Sequence, residues 1–277
     1  PSRLEGLLDR ISDRKVLLVG IDGLILNRAL TSGRAPTLKN LSENGFFVET
    51  VVDLPTISGP SWSTLLTGKR INVHKVIDNY FVDHNLAAAP DFLTQALKRD
   101  QSLITYAAAG WPPLIDPEDV GPIIAKGKHL RFHRDGESNG YIKVDKEVHD
   151  HALETLRQVG PDLSFVYFCG VDEAGHKHGA LSVEYFEAIE RIDGYVAQLH
   201  AALESRAASK AEQWLIVLVT DHGHRDEGGH GGDSPQERAS FVIAYGIKRP
   251  HPNWSKTMEP HELTPMILNE IFKSKVY

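Results

Sequence analysis

Three aspartates and three histidines stand where apolar runs of this sequence break, and as a set they have the chemistry of metal ligands. Asp22 follows the run 16–21, Asp172 and His176 follow 163–169, and Asp221 and His222 follow 215–220. His230 comes shortly after, between two glycine pairs in GGHGG. Residues at the carboxyl ends of strands in an open α/β sheet face the crevice where such folds bind ligands. Six groups of this kind can hold two divalent cations, and a pair about 4 Å apart is a standard device for phosphoryl transfer.

Each fragment alone has a plainer reading. Asp172 and His176 are four apart, so a helix there puts both on one face and makes half of a zinc site; otherwise they are a helix-capping acid and an exposed histidine. Asp22, between Ile21 and Gly23, serves equally as a turn residue. The glycines around Asp221, His222 and His230 let the backbone approach an ion and bring the chain back to it. His224 and His178 are left outside the set. The conjunction of the three segments carries the expectation.

A hydroxyl nucleophile is sought in the stretch 54–68, LPTISGPSWSTLLTG. Pro60 has the look of a first-turn proline, which makes Ser58 or Gly59 the residue before a helix. A hydroxyl there lies beside free N–H groups and the positive helix end, both of which favour a phosphoryl group. These residues alone also read as a simple serine cap.

The elements that must position these groups alternate along the chain. Strand-like runs fall at 15–21, 46–52, 102–108, 163–169, 214–220 and 240–245; helix-like runs fall at 37–44, 61–66, 91–98, 146–158, 182–204 and 261–272. Short apolar strands between amphipathic segments predict an α/β protein, a three-layer α/β/α sandwich with a mostly parallel central sheet. The Pro- and Gly-rich segment 110–140 reads as an irregular excursion over the crevice, a small cap, or a plain surface loop. The whole of 1–277 is read as one domain.

Net charge is −7, which argues against binding nucleic-acid polymers or anionic membranes. It leaves room for a small anionic substrate, since bound metal ions dominate the local field. Cys169 is the single cysteine, so there is no intramolecular disulfide and no cysteine-based zinc site; its apolar flanks predict a buried strand thiol. No apolar run approaches the roughly 20 residues of a spanning helix, and the opening PSRLEGLLDR lacks the pattern of a signal peptide. A cytoplasmic protein is therefore expected, or an exported one had a leader been removed ahead of Pro1. Composition leaves the oligomeric state open.

Taken together these motifs resemble the alkaline phosphatase superfamily, and in particular its nucleotide pyrophosphatase/phosphodiesterase branch. The branch's nucleophile motif, roughly P-T-x-T-F-P-N before a helix ending T-G, appears here as PTISGPS followed by WSTLLTG. Its Y-x-E-E-P-D-x-x-G-H-x-x-G appears as 167–179, its R-x-D-G as 191–194 and its D-H-G as 221–223. The likeness runs in order through residues 15–272. It implies that Ser58 is the nucleophile, with Thr56 and Ser61 as neighbours, and that Asn79 binds a phosphoryl oxygen. It implies one metal ion on Asp172, His176 and His230 and a second on Asp22, Asp221, His222 and the Ser58 oxygen, usually zinc, with manganese as the alternative. Two departures stand out. Gly59 replaces the aromatic residue that helps stack a nucleobase, and Cys169-Gly170-Val171 replaces E-E-P.

The expected reaction is hydrolysis of a small phosphodiester through a phosphoserine, with Asn79 and the Ser58–Gly59 backbone donating to a non-bridging oxygen. Gly59, Tyr80 and Tyr167 are the expected substrate contacts, with Trp62 and Trp111 as further aromatic candidates. The alternatives are a phosphomonoesterase, for which Arg70 or Lys75 would supply a positive group, a phosphonate hydrolase, or a noncatalytic metal-binding protein. A sulfatase is disfavoured because Trp62 follows Ser61. A mutase of the same metal core would need a longer insert than 110–140.

Overall fold

The structure is a computed structural model and describes residues 13–272. The opening decapeptide, and with it the two ends of the expected single domain, lie outside the described residues. Seven strands form one sheet: β1 (Arg14–Ile21), β2 (Phe46–Val51), β3 (Thr105–Ala109), β4 (Leu130–His133), β5 (Leu163–Phe168), β6 (Gln213–Val219) and β7 (Ala239–Ile247). Their order is β2-β7-β6-β1-β5-β3-β4. Only β7 runs against its neighbours, antiparallel to both β2 and β6.

Helices cover both faces. One core gathers α2 (Ser58–Thr67), α3 (Phe92–Arg99) and α7 (Leu263–Ile271) through residues such as Trp62, Phe92 and Ile267. The other gathers α1 (Pro36–Asn44), α4 (Tyr141–Gln158) and α6 (Val183–Ser209) through Leu38, Val148 and Ile192. Strand β1 feeds both, Val16 and Leu18 to the first and Leu17, Val19 and Ile21 to the second. That is why the central strands read as unbroken apolar runs rather than alternating ones. Among the described residues no helix is long and apolar enough to cross a membrane.

The segment 110–140 is more ordered than its sequence suggests. It holds short helices at Pro112–Ile115 and Gly136–Asn139, and the edge strand β4, paired in parallel with β3. Four residues with none buried leave β4 no hydrophobic signature. The segment still reaches the crevice, through Trp111 and Glu137.

What positions the site is the adjacency of β6, β1 and β5. All three are parallel and in register, so their carboxyl ends lie side by side. Asp22, Asp172 and the Asp221–His222 pair leave those three ends.

Candidate active site

Ser58 opens α2 as its first helical residue, with Ile57 extended before it. The sequence puts Pro60 in the first turn, as found, but places the helix start one or two residues later, after Ser58 or Gly59. Proline is tolerated throughout the first turn, because those N–H groups have no intrahelical partner to lose. The Ser58 hydroxyl is buried, its Oγ 3.1 Å from His222 Nε2 and 3.2 Å from Asp22 Oδ2. The helix dipole therefore points its positive end at the same place as the acids.

Residues 170–178 do form a helix, α5 (Gly170–His178), so Asp172 and His176 share a face, 3.3 Å apart. His230 returns to them on the glycine loop, its Nε2 3.0 Å from His176 Nε2 and 3.4 Å from Asp172 Oδ1. The return needs glycine. Gly228 has φ +101°, and a Cβ on it would meet the Gly175 carbonyl oxygen at 2.4 Å. Thr56 ties this loop to the nucleophile: its carbonyl accepts from His230 Nδ1 (2.6 Å), while its hydroxyl accepts from the Gly231 N–H (2.8 Å) and donates to the Gly232 carbonyl (2.8 Å).

Ligand atoms gather in two overlapping groups, each within 4.8 Å: Asp172, His176, His224 and His230, and Asp22, Asp172 and His222. Asp221 joins the second, its Oδ2 3.1 Å from His222 Nε2. Asp172 thus reaches both groups, although the family likeness assigned it to one.

The electrostatics suit a cation. Burial, then the charges of Asp221 and Asp172, hold Asp22 well above the usual carboxylate range. Burial works against the His222 imidazolium, but Asp221, Asp22 and Asp172 outweigh it and push the ring up to about 10. Burial would raise Asp172 too, yet hydrogen bonds from His176, His224 and His230 hold it well below its ordinary value. Asp221 Oδ2 is fully buried and has His222 Nε2, at 3.1 Å, as its near polar neighbour. Three buried carboxylates converging on one point are costly unless a cation offsets their charge. His222 Nδ1 donates to the Gly223 carbonyl at 2.8 Å and His230 Nδ1 to Thr56, so each aims an Nε2 lone pair inward. This donor set fits divalent metal ions.

Around it lies an open pocket walled by Ser58, Asn79, Trp111, Glu137, Tyr167 and Cys169, among others. Asn79 Oδ1 accepts from the Gly59 N–H at 2.7 Å. That N–H, expected to face substrate, is therefore already engaged, and the free donor on this side is Asn79 Nδ2. Tyr167 is fully buried and its hydroxyl donates to Asp22 Oδ2 at 2.7 Å; Trp62 Nε1 donates to the same oxygen at 3.0 Å. Both aim the carboxylate rather than reach outward. The sequence offers Trp62 only as an aromatic candidate for substrate contact; its place four residues, one turn, after Ser58 is the signal for this other role. Tyr80 is 77% exposed and is not a wall of the pocket. Glu137 carried no sequence signal at all. Cys169 is buried just past β5, and burial pushes its thiol well up, followed by the charge of Asp22, so it stays protonated. His224, set aside from the sequence, is fully buried against Asp172 at 2.7 Å.

The chain is similar to several known proteins. The family model for type I phosphodiesterase / nucleotide pyrophosphatase matches residues 16–234. The GPI ethanolamine phosphate transferase 2 of Aspergillus fumigatus is 28% identical over 196 residues, 68% of this chain and 24% of its own length. The human GPI ethanolamine phosphate transferase 2 catalytic subunit is 25% identical over 187 residues, 66% of this chain and 18% of its own. The chain thus spans under a quarter of the length of these curated relatives. Murine ectonucleotide pyrophosphatase/phosphodiesterase 5 superposes with a TM-score of 0.71 at 15% identity, covering 93% of this chain and 94% of that one. Phosphonoacetate hydrolase from Sinorhizobium meliloti gives 0.57 at 18% identity, covering 78% and 57%. The structural likenesses show a common fold; the family match, over most of the sequence and every segment that builds the site, shows that this chain belongs to the type I phosphodiesterase/nucleotide pyrophosphatase family of the alkaline phosphatase superfamily.

Proposed function

We propose that the chain is a phosphoryl-transfer enzyme that hydrolyses small phosphodiesters at a two-cation centre, with zinc as the metal and manganese as its substitute. The observation that carries this is the Ser58 hydroxyl at the first turn of α2, within hydrogen-bonding reach of both Asp22 and His222. Asp172, His176 and His230 would hold one ion; Asp22, Asp221, His222 and the Ser58 oxygen would hold the other. Bound there, the ions supply the Lewis acidity that lowers the hydroxyl's pKa and neutralises charge on the leaving oxygen.

The chain's own residues do the rest. The Ser58 proton leaves to solvent, since Asp22 and His222 are engaged in holding the ion, and the Ser58 Oγ bonds to phosphorus as the bond to the leaving alkoxide breaks. Asn79 Nδ2 donates to a non-bridging oxygen. Tyr167 and Trp62 keep Asp22 aimed at the hydroxyl. Water then attacks the phosphoserine, the Oγ–P bond breaks, and Ser58 recovers its proton. A diester is favoured over a monoester because, among the described residues, no lysine or arginine walls the pocket. Arg70 is instead paired with Asp53 and Glu259, at 3.2 and 2.8 Å.

A second reading is that the group moved is ethanolamine phosphate, as the names of the two curated relatives say of those proteins. Glu137 favours it. This acid walls the pocket, accepts the Tyr141 hydroxyl at 2.9 Å and forms no salt bridge with a described residue. A carboxylate in a cavity for phosphate is unfavourable unless the other end of the substrate is cationic.

The test is elemental analysis of the purified protein together with hydrolysis of bis-p-nitrophenyl phosphate and p-nitrophenyl phosphate. Near two metal ions per chain with the diester preferred is the expected result. Monoester preference would make it a phosphatase, and no metal and no turnover after adding zinc or manganese would overturn the reading.

A further inference from the structure

Three imidazoles touch Asp172, and they are not wired alike. His230 Nδ1 donates to a carbonyl, as does that of His222 in the neighbouring group, and each leaves its Nε2 lone pair for the site. His224 is turned the other way. Its Nδ1 accepts from the Gly229 N–H at 3.1 Å. A backbone N–H can only donate, so this ring carries its proton on Nε2, the atom 2.7 Å from Asp172 Oδ1. A protonated ring nitrogen has no lone pair for a cation.

The slot around the ring is built for it. His224 is fully buried. A Cβ on Gly175 would come within 2.9 Å of its Cε1 and Nε2, and one on Gly23 within 2.9 Å of its Cδ2 and 2.6 Å of Asp172 Oδ1. Two glycines, from α5 and from the turn after β1, leave room for an imidazole pressed against the carboxylate. The distinction matters chemically. Four protein ligands close a metal site, as in structural centres, whereas three leave a position for substrate.

We infer that His224 is a positioning residue rather than a fourth metal ligand: it donates to Asp172 Oδ1, holds the carboxylate in one orientation, and leaves Oδ2 to the cation shared with His176 and His230. The inference rests on a metal ion being held by those three residues.

The test is titration of the metal-free protein with Zn(II) and Co(II), following affinity by calorimetry and coordination by the visible spectrum of bound Co(II). His224→Leu should bind one of its two ions about 10- to 100-fold more weakly, the usual effect of losing a hydrogen bond to a ligand, with the Co(II) bands unchanged. His224→Gln keeps an acceptor for Gly229 and a donor for Asp172, and should restore affinity to within about threefold. Unchanged affinity in His224→Leu would overturn the inference. So would Co(II) bands in His224→Gln that show a lost nitrogen ligand. If His224→Leu does not fold, the His224→Gln spectrum decides alone. Wild-type protein that binds no ion would sink the metal reading itself, which is a separate outcome.

Discussion

Gly59→Ala is the sharpest perturbation of this site, because a single methyl group is enough. Built on the backbone, its Cβ lies 2.5 Å from the Asp78 carbonyl oxygen, 2.9 Å from Asn79 Oδ1 and 3.1 Å from the Asp78 carbonyl carbon. Ordinary contact begins at 3.4 Å, so the 78–79 loop must retreat by about 0.9 Å, the difference between 3.4 and 2.5. The bond from the Gly59 N–H to Asn79 Oδ1, 2.7 Å here, stretches with it, and Nδ2 leaves its place beside Ser58. A misplacement near 1 Å costs about 100-fold in rate, or roughly 2.7 kcal/mol of transition-state stabilisation. No proposed metal ligand lies on that loop, so metal content should not change. The assay is kcat/KM for bis-p-nitrophenyl phosphate beside metal content and Tm. A variant with wild-type metal content and kcat/KM within about threefold of wild type would refute the claim that Asn79 contacts the substrate. The same geometry explains why an aromatic residue is missing here: Asp78 and Asn79 already fill the space beside Gly59.

Other substitutions probe other parts of the reasoning. Ser58→Ala should abolish turnover while leaving metal content largely intact; activity within about tenfold of wild type would exclude Ser58 as the nucleophile. Glu137→Gln should lower kcat/KM about tenfold for an ammonium-bearing diester such as p-nitrophenyl phosphorylcholine and leave the bis-p-nitrophenyl ester unchanged. Equal losses on both would show that Glu137 does not sense charge. Asp145 is buried, which pushes its carboxyl up to about 7 although it accepts the Cys169 and Gly170 N–H groups. The folded state then keeps a proton that the unfolded state sheds near 3.8. Its contribution to stability is thus complete below about pH 4 and lost as pH rises toward 7, roughly 4 kcal/mol in all. In denaturant titrations at pH 5 and pH 8, wild type should lose stability relative to Asp145→Asn; a pH-independent difference would contradict this.

The fold and the convergence of the acids were legible for one physical reason. A strand buried on both faces must be apolar throughout, so the first acid or glycine after it marks its end, as at Asp22, Asp172 and Asp221. Strand β4 escaped notice because it is short and none of its residues is buried. The start of α2 was misplaced because proline is acceptable at several first-turn positions. Local sequence also could not show that the Gly59 N–H is spent on Asn79, that Tyr80 points to solvent, or that Glu137 joins the pocket. Each depends on how a loop returns, which distant contacts decide. The direction of the His224 ring was likewise hidden, since it is set by one N–H on the glycine loop.

The adjacency of β6, β1 and β5 has a last consequence. The Gly23 N–H donates to Asp221 Oδ1 across 198 residues of sequence, and Asp172 meets them from a third segment. The site exists only where three segments far apart in the sequence have come together. An ion held there would therefore act as a census of completely assembled molecules. It would also guard them: each tenfold excess of ion over its dissociation constant adds about 1.4 kcal/mol against global unfolding. In a cell, the supply of metal would then set how long the protein lasts as well as how fast it works.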